Sequence, residues 1–187
     1  ANVYKGATLD TTGGHSYLLS ANFRTGGVDV IKGAAGAPDL AGKFVDPTLP
    51  AGYAPFDIKV IGTNIFVTYA LQDGTKHDDV AGLGNGYVDK FDLNGNLLGR
   101  VGSQGTLDSP WGLAVAPSSF GALAGDLLVG NFGDGTINAY NIGTDAYIGQ
   151  LLTGAGSPVT IDGLWALDVG GSGSEGREGE GRRRRQG

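Results

Sequence analysis

The sequence predicts an all-β chain: a partial β-propeller of three four-stranded antiparallel blades followed by the first strand of a fourth. Three observations carry this. Glycine supplies 36 of the 187 residues and proline 7, a composition suited to many short strands joined by tight turns. No stretch longer than about two turns has the spacing of an amphipathic helix. Laid against itself, the chain comes into register at an offset of about fifty residues, with strand types recurring in one order, the signature of a repeat architecture.

The first strand type is YKGATL (4–9), PFDIKV (55–60), PWGLAV (110–115) and LWALDV (164–169), aligned on Gly6, Asp57, Gly112 and Ala166. The second is LLSANF (18–23), IFVTYA (65–70) and LLVGNF (127–132), β-branched and aromatic in composition. The third is GVDVI (27–31), YVDKF (87–91) and TINAY (136–140), which puts Val28, Val88 and Ile137 on one face and breaks the apolar pattern at Lys90. The fourth is AGKFV (41–45), LGRV (98–101) and IGQLL (148–152), polar at alternate positions as an exposed edge strand should be. Asn94-Gly95 and Gly143-Thr144 supply left-handed turns between the third and fourth types. The repeat units are expected at about 4–46, 55–102 and 110–153, with an opening strand at 164–169.

Four-stranded units that cannot bury both faces alone stack radially in a propeller, which typically needs at least four blades to close. The chain therefore reads as a fragment, with open blade edges expected to favour self-association. After Val169 the period dissolves into a Gly/Arg/Glu-rich tail, 170–187, expected to be disordered. Its abrupt onset reads first as a truncated or misframed gene end. A disordered basic tail for nucleic acid or acidic surfaces is the rival reading.

Charge narrows the function classes. The chain carries a net −6, but the tail holds five Arg and three Glu, so the remainder stands at −8. An acidic body disfavours nucleic acid as a partner of the folded part. No apolar stretch approaches membrane-spanning length. Without Cys there is neither a disulfide framework nor a thiolate metal site.

ANFRTGGVDV (21–30), KHDDVAGLGNGYVDKFDLNGNL (76–97) and SPWGLAVAPSSFG (109–121) resemble the NHL-like propellers. Within these, the likeness is to uncharacterised exported bacterial proteins, some of which carry PEP-CTERM sorting signals. The resemblance spans about residues 2–169 and implies an extracellular or periplasmic location, with which the lack of Cys agrees. It implies no activity for that group, although other NHL-like propellers include metal-assisted lyases and lactonases.

Candidate sites cluster on the face that carries the loops between second and third strands. Those loops are short in the first and third units, but the second uses LQDGTKHDDVAGLGNG (71–86), with Asp73, His77, Asp78 and Asp79. Oxygen-rich loops with a His suit Ca2+ or another divalent metal, and these four are the candidate ligands. A solvated loop ordered by Asp-to-backbone hydrogen bonds is the competing reading. On the same face Asp57, Asp108 and Asp162 are candidate ligand-binding residues at the channel mouth, although turn capping also accounts for Asp108 and Asp162. DLNGN (92–96) imitates an EF-hand start but lacks its glycine and closing Glu, and GLGNG (82–86) lacks the Lys-Ser/Thr and helix of a phosphate loop. His15 reads as a surface residue, and no catalytic residue is assigned. The expected function is a non-enzymatic module that binds a ligand or protein through its loop face. The alternative is a metal-assisted lyase or lactonase, disfavoured because the opening strands carry Lys5, Asp57, Lys59 and Asp168 but no His.

Overall fold

IFVTYA (65–70) is apolar almost without interruption, where a half-buried strand would alternate. The computed structural model, which describes residues 1–170, shows why: this strand is buried on both faces. Ile65, Val67 and Tyr69 pack toward the preceding unit with Tyr17, Leu19, Ala21 and Ile58. Phe66, between them in sequence, faces the following unit with Val88, Leu113, Leu127 and Val129. The side-chain period of two thus feeds two interfaces from one strand.

The described residues are all-β, with a single turn of 3-10 helix at Gly121–Leu123. The eleven strands form three antiparallel sheets in chain order. The first holds β1 (Tyr4–Thr12), β2 (His15–Asn22) and β3 (Gly27–Lys32). The second holds β4 (Tyr53–Ile61), β5 (Asn64–Leu71), β6 (Gly86–Asp92) and β7 (Leu97–Ser103). The third holds β8 (Pro110–Val115), β9 (Leu127–Asn131), β10 (Ile137–Tyr140) and β11 (Tyr147–Gln150). The opening strands β1, β4 and β8 stand beside one another, and the Lys59 ammonium on β4 donates to the Leu113 carbonyl on β8 at 2.8 Å. From residue 171 the expected disordered tail lies outside the described residues.

The first sheet has three strands where four were expected. Residues 41–45 leave β3 and dock on the turn between β6 and β7, where the Gly42 and Phe44 amides donate to the Asn94 and Gly95 carbonyls at 2.7 and 3.0 Å. Burial of Phe44 against Phe91, ring centroids 5.6 Å apart, outweighs edge pairing here. Gly95, at φ 80°, has no room for a Cβ beneath that ring. Residues 164–169 likewise form no paired strand. Leu164 is buried against Ala116, Leu128 and Ile137, and the segment runs close over Gly112.

Charged side chains pin the units together. Arg100 on β7 donates from Nε to Asp89 at 2.8 Å, from Nη2 to Asp46 in the segment that follows β3, and lies over the Tyr87 ring. Burial pushes the Asp89 carboxyl up to about 6 despite the pull of Arg100. Burial acts the same way on Asp46, but the Thr48 amide and hydroxyl, with Arg100, hold it below its ordinary value. Lys90, the position that broke the apolar pattern, reaches Asp145 of the third unit at 2.6 Å.

Replacing Arg100 by Met leaves two buried carboxyls without their cation and is expected to cost about 3–5 kcal/mol of stability. A urea midpoint that does not move would show that the cluster contributes nothing. The double change Arg100→Met with Asp89→Leu should recover part of the loss.

Candidate functional site

Each opening strand carries a β-bulge at the same repeat position. Pairing slips between Tyr4 and Gly6, between Pro55 and Asp57, and between Pro110 and Gly112, leaving Lys5, Phe56 and Trp111 as the extra residues. A bulge re-aims its side chain out of the ladder. Phe56 and Trp111 are thus turned to the end of the sheets that carries the loops between second and third strands, where Trp165, at the matching repeat position of the unpaired segment, meets both. Trp165 lies 4.4 Å from Phe132 and 5.5 Å from Trp111, ring to ring, and Phe56 lies 5.2 Å from Phe23.

The recurring Asn-Phe pair builds the other half of this cluster. Phe23 and Phe132 donate their amides to the Val3 and Ser109 carbonyls at 2.8 and 2.9 Å, clamping the chain as it enters each opening strand. Asn22 and Asn131 are buried beside them and donate to Asp29 at 2.9 Å and to the Thr106 carbonyl at 2.8 Å. Phe23 and Phe56 are fully buried, whereas Trp165 keeps 45% of its surface exposed.

Asp57 faces a cavity of about 220 Å³ in the channel wall, lined also by Thr8, Lys59, Trp111, Leu167 and Asp168. Only 5% of Asp57 is exposed. A Cβ on Gly6 would sit 2.1 Å from its carboxylate oxygen, so the acid fits only because its neighbour is glycine. Burial raises this carboxyl to about 7, against weaker opposing pulls from the Ile58 amide and Lys59.

The other two ligand candidates are placed differently. Asp108 is buried and accepts the Gly82 amide at 2.7 Å, which fastens the long loop of the second unit to the chain before β8. Burial raises its carboxyl, and the charges of Asp134 and Asp79 add to this. Asp162 is exposed and lies outside the channel cavity.

In the long loop the four metal candidates do not converge. Asp73 is occupied by its own loop, accepting from the Thr75 hydroxyl and the His77 amide at 2.7 and 2.8 Å, and these bonds hold its carboxyl below the ordinary range. Asp78 is paired with His77 and with Lys5 of the first unit, both at 3.0 Å, and these partners lower it. Asp79 forms a backbone bridge to Gln72, and its carboxylate acts on Asp108 rather than joining Asp73 and Asp78. Among the described residues no three His, Cys, Asp or Glu side chains are grouped to hold a metal ion. The loop is ordered by Asp-to-backbone bonds, and Asp78 ties it to Lys5 of the first unit.

The aromatic mouth is the feature that residue-by-residue reading missed. Phe56, Trp111 and Trp165 occupy one repeat position, and the first two do pack in a core cluster, but Trp165 keeps a half-exposed face at its rim.

No family model matches the chain. Three uncharacterised proteins of Acanthamoeba polyphaga mimivirus align with it. One is 40% identical over 133 residues, covering 71% of this chain and 33% of the relative. A second is 33% identical over 171 residues, covering 89% and 44%, and a third is 34% identical over 120 residues, covering 64% and 22%. The chain spans less than half the length of the curated relatives it matches. These findings correct the resemblance drawn from the sequence: the relatives are viral, and neither an NHL-like family nor an exported bacterial group is supported. The glycines, bulge aromatics and hairpin turns that suggested it follow from blade geometry itself.

The raised Asp57 carboxyl has a consequence for stability. The folded chain binds this proton more tightly than the unfolded chain, whose carboxyl stays near 3.8, so the contribution is present below that value and is lost as pH rises through about 7. Asp57→Asn should leave Tm unchanged near about pH 4 and raise stability at about pH 9 by at most about 4 kcal/mol. A pH-independent shift in thermal melts would contradict this.

Proposed function

We propose that this chain is a binding module that takes a ligand or a protein segment at its loop face. The observation that carries the reading is the aromatic mouth, where half-exposed Trp165 stacks on Phe132 beside Trp111. An aromatic surface over a cavity with a few polar groups is the usual make-up of a ligand site. The surrounding charge, with Asp57, Asp108 and Asp78 near the mouth and an acidic body, favours neutral or cationic partners over nucleic acid. No helix of the described residues is long and apolar enough to cross a membrane.

Both tryptophans of the chain belong to this mouth, so their indole signals report on it alone. In a fragment screen followed by NMR, binders are expected to move the Trp111 and Trp165 Nε1–H resonances together, and Trp165→Ala should remove most of them. Binders that leave both indoles unmoved would overturn the reading.

A second reading, self-association, is supported by Leu9, 72% exposed on β1, and by the outer edge of β3, which no strand pairs among the described residues. Light scattering should then show concentration-dependent mass that Leu9→Lys reduces. A monomer at the highest soluble concentration sinks it.

A further inference from the structure

We propose that the channel cavity beneath Trp111 binds a small organic cation, a primary ammonium or protonated nitrogen base on a flat apolar body, with Asp57 as its counter-ion. The inference rests on the reading of this end of the sheets as a binding face and names the chemistry that the face would select.

Buried carboxylates are normally paired, because an isolated charge away from water is costly. Among the described residues Asp57 has no hydrogen-bonded counter-ion, and the pull of Lys59 is weaker than the cost of its burial. No side-chain donor of the described residues reaches its carboxylate, and the Ile58 amide is the main group turned toward it. The cation on the same strand, Lys59, is already directed to the Leu113 and Leu167 carbonyls at 2.8 and 3.4 Å. Lys5, the cation of β1, is paired with Asp78 and lies over the Phe23 ring. An acid is therefore held in the wall while both nearby ammonium groups are committed elsewhere.

The rest of the lining fits the body of such a ligand. Trp111 offers an aromatic surface, which attracts cations, and Ile58, Leu113 and Leu167 supply apolar wall. Asp168 adds a second carboxylate. Cavities of about 150 Å³ hold benzene, so about 220 Å³ admits a ligand the size of a substituted ring. Two carboxylates fall short of the six to eight oxygens that Ca2+ takes, and when ionised they outnumber the single Lys59 ammonium of the lining, so the net charge there favours a cation over an anion.

The titratable groups lining the cavity are Asp57 and Lys59 on β4 and Asp168 on the following segment. The lining from β1 is Ala7 and Thr8, and that from β8 is Trp111 and Leu113, with no charged group among them. Because Asp57 must be ionised to hold a cation, and burial places its titration near 7, binding should strengthen as pH rises from acid to mildly alkaline.

Benzylamine, benzyl alcohol and benzoate, titrated into the 187-residue chain and followed by tryptophan fluorescence, separate the outcomes. The ammonium is expected to bind roughly tenfold more tightly than the alcohol at about pH 8, and benzoate not measurably. That preference should vanish in Asp57→Asn and, in the unaltered chain, fade as pH falls below about 6. Equal binding of amine and alcohol, or a preference that survives Asp57→Asn or acid pH, overturns the proposal. A response to the neutral alcohol without amine preference would sink this inference and leave the loop-face reading standing. Silent indoles for all three probes would sink the inference alone, whereas the fragment screen decides the wider reading.

Discussion

The opening strands come so close at one repeat position that there is room for one side chain between two backbones. Gly6 meets Asp57, and a Cβ on Gly112 would press within 3.0–3.1 Å of the backbone and Leu167 side chain of the segment beyond. The small residues at this repeat position follow from that crowding, as does the burial of the one acid among them. Once the inner strands are set at this spacing, the remaining strands splay outward, and the widening gaps between sheets must be filled by larger side chains. Tyr17, Tyr69, Tyr87 and Phe91 fill the first gap, and Phe66, Leu107 and Tyr140 the second.

The same constraint connects packing to the site. Bulges at Lys5, Phe56 and Trp111 relieve the pairing mismatch at the end of each opening strand and turn those residues toward the mouth. Phe56 and Trp111 join the Asn-Phe residues in an aromatic cluster, while Lys5 takes the loop acid Asp78 instead. Structure and candidate chemistry here share the same side chains.

Much of the fold was legible because its determinants are local: strand composition, hairpin turns and the repeat of Gly6, Asp57 and Gly112. Strand types and sheet order followed from these. The exceptions arose where a distant partner outbid a local preference. AGKFV has edge-strand alternation, yet Phe44 gains more by burying against Phe91, and nothing within 41–45 announces a partner some forty-seven residues on. Of the site, Asp57 stood out as an acid in place of a glycine, and its burial confers its interest. The four loop residues looked like metal ligands because sequence shows donors in a row but not where they point. Asp73 turns inward to its own backbone and Asp78 outward to Lys5. The family resemblance failed for a related reason, since blade geometry imposes similar glycine and aromatic patterns on proteins of different origin.

The segment that leaves β3 sets an order of events during translation. Residues 41–46 obtain their hydrogen bonds and their cation from Asn94, Gly95 and Arg100, all of which leave the ribosome later. Until β6 and the hairpin of residues 92–97 have formed, Phe44 has no ring to rest on and the Gly42 and Phe44 amides have no carbonyls to meet. The segment after the first sheet is thus made early and placed late, and the nascent chain carries an unburied Phe44 over the interval in which the middle sheet is synthesised.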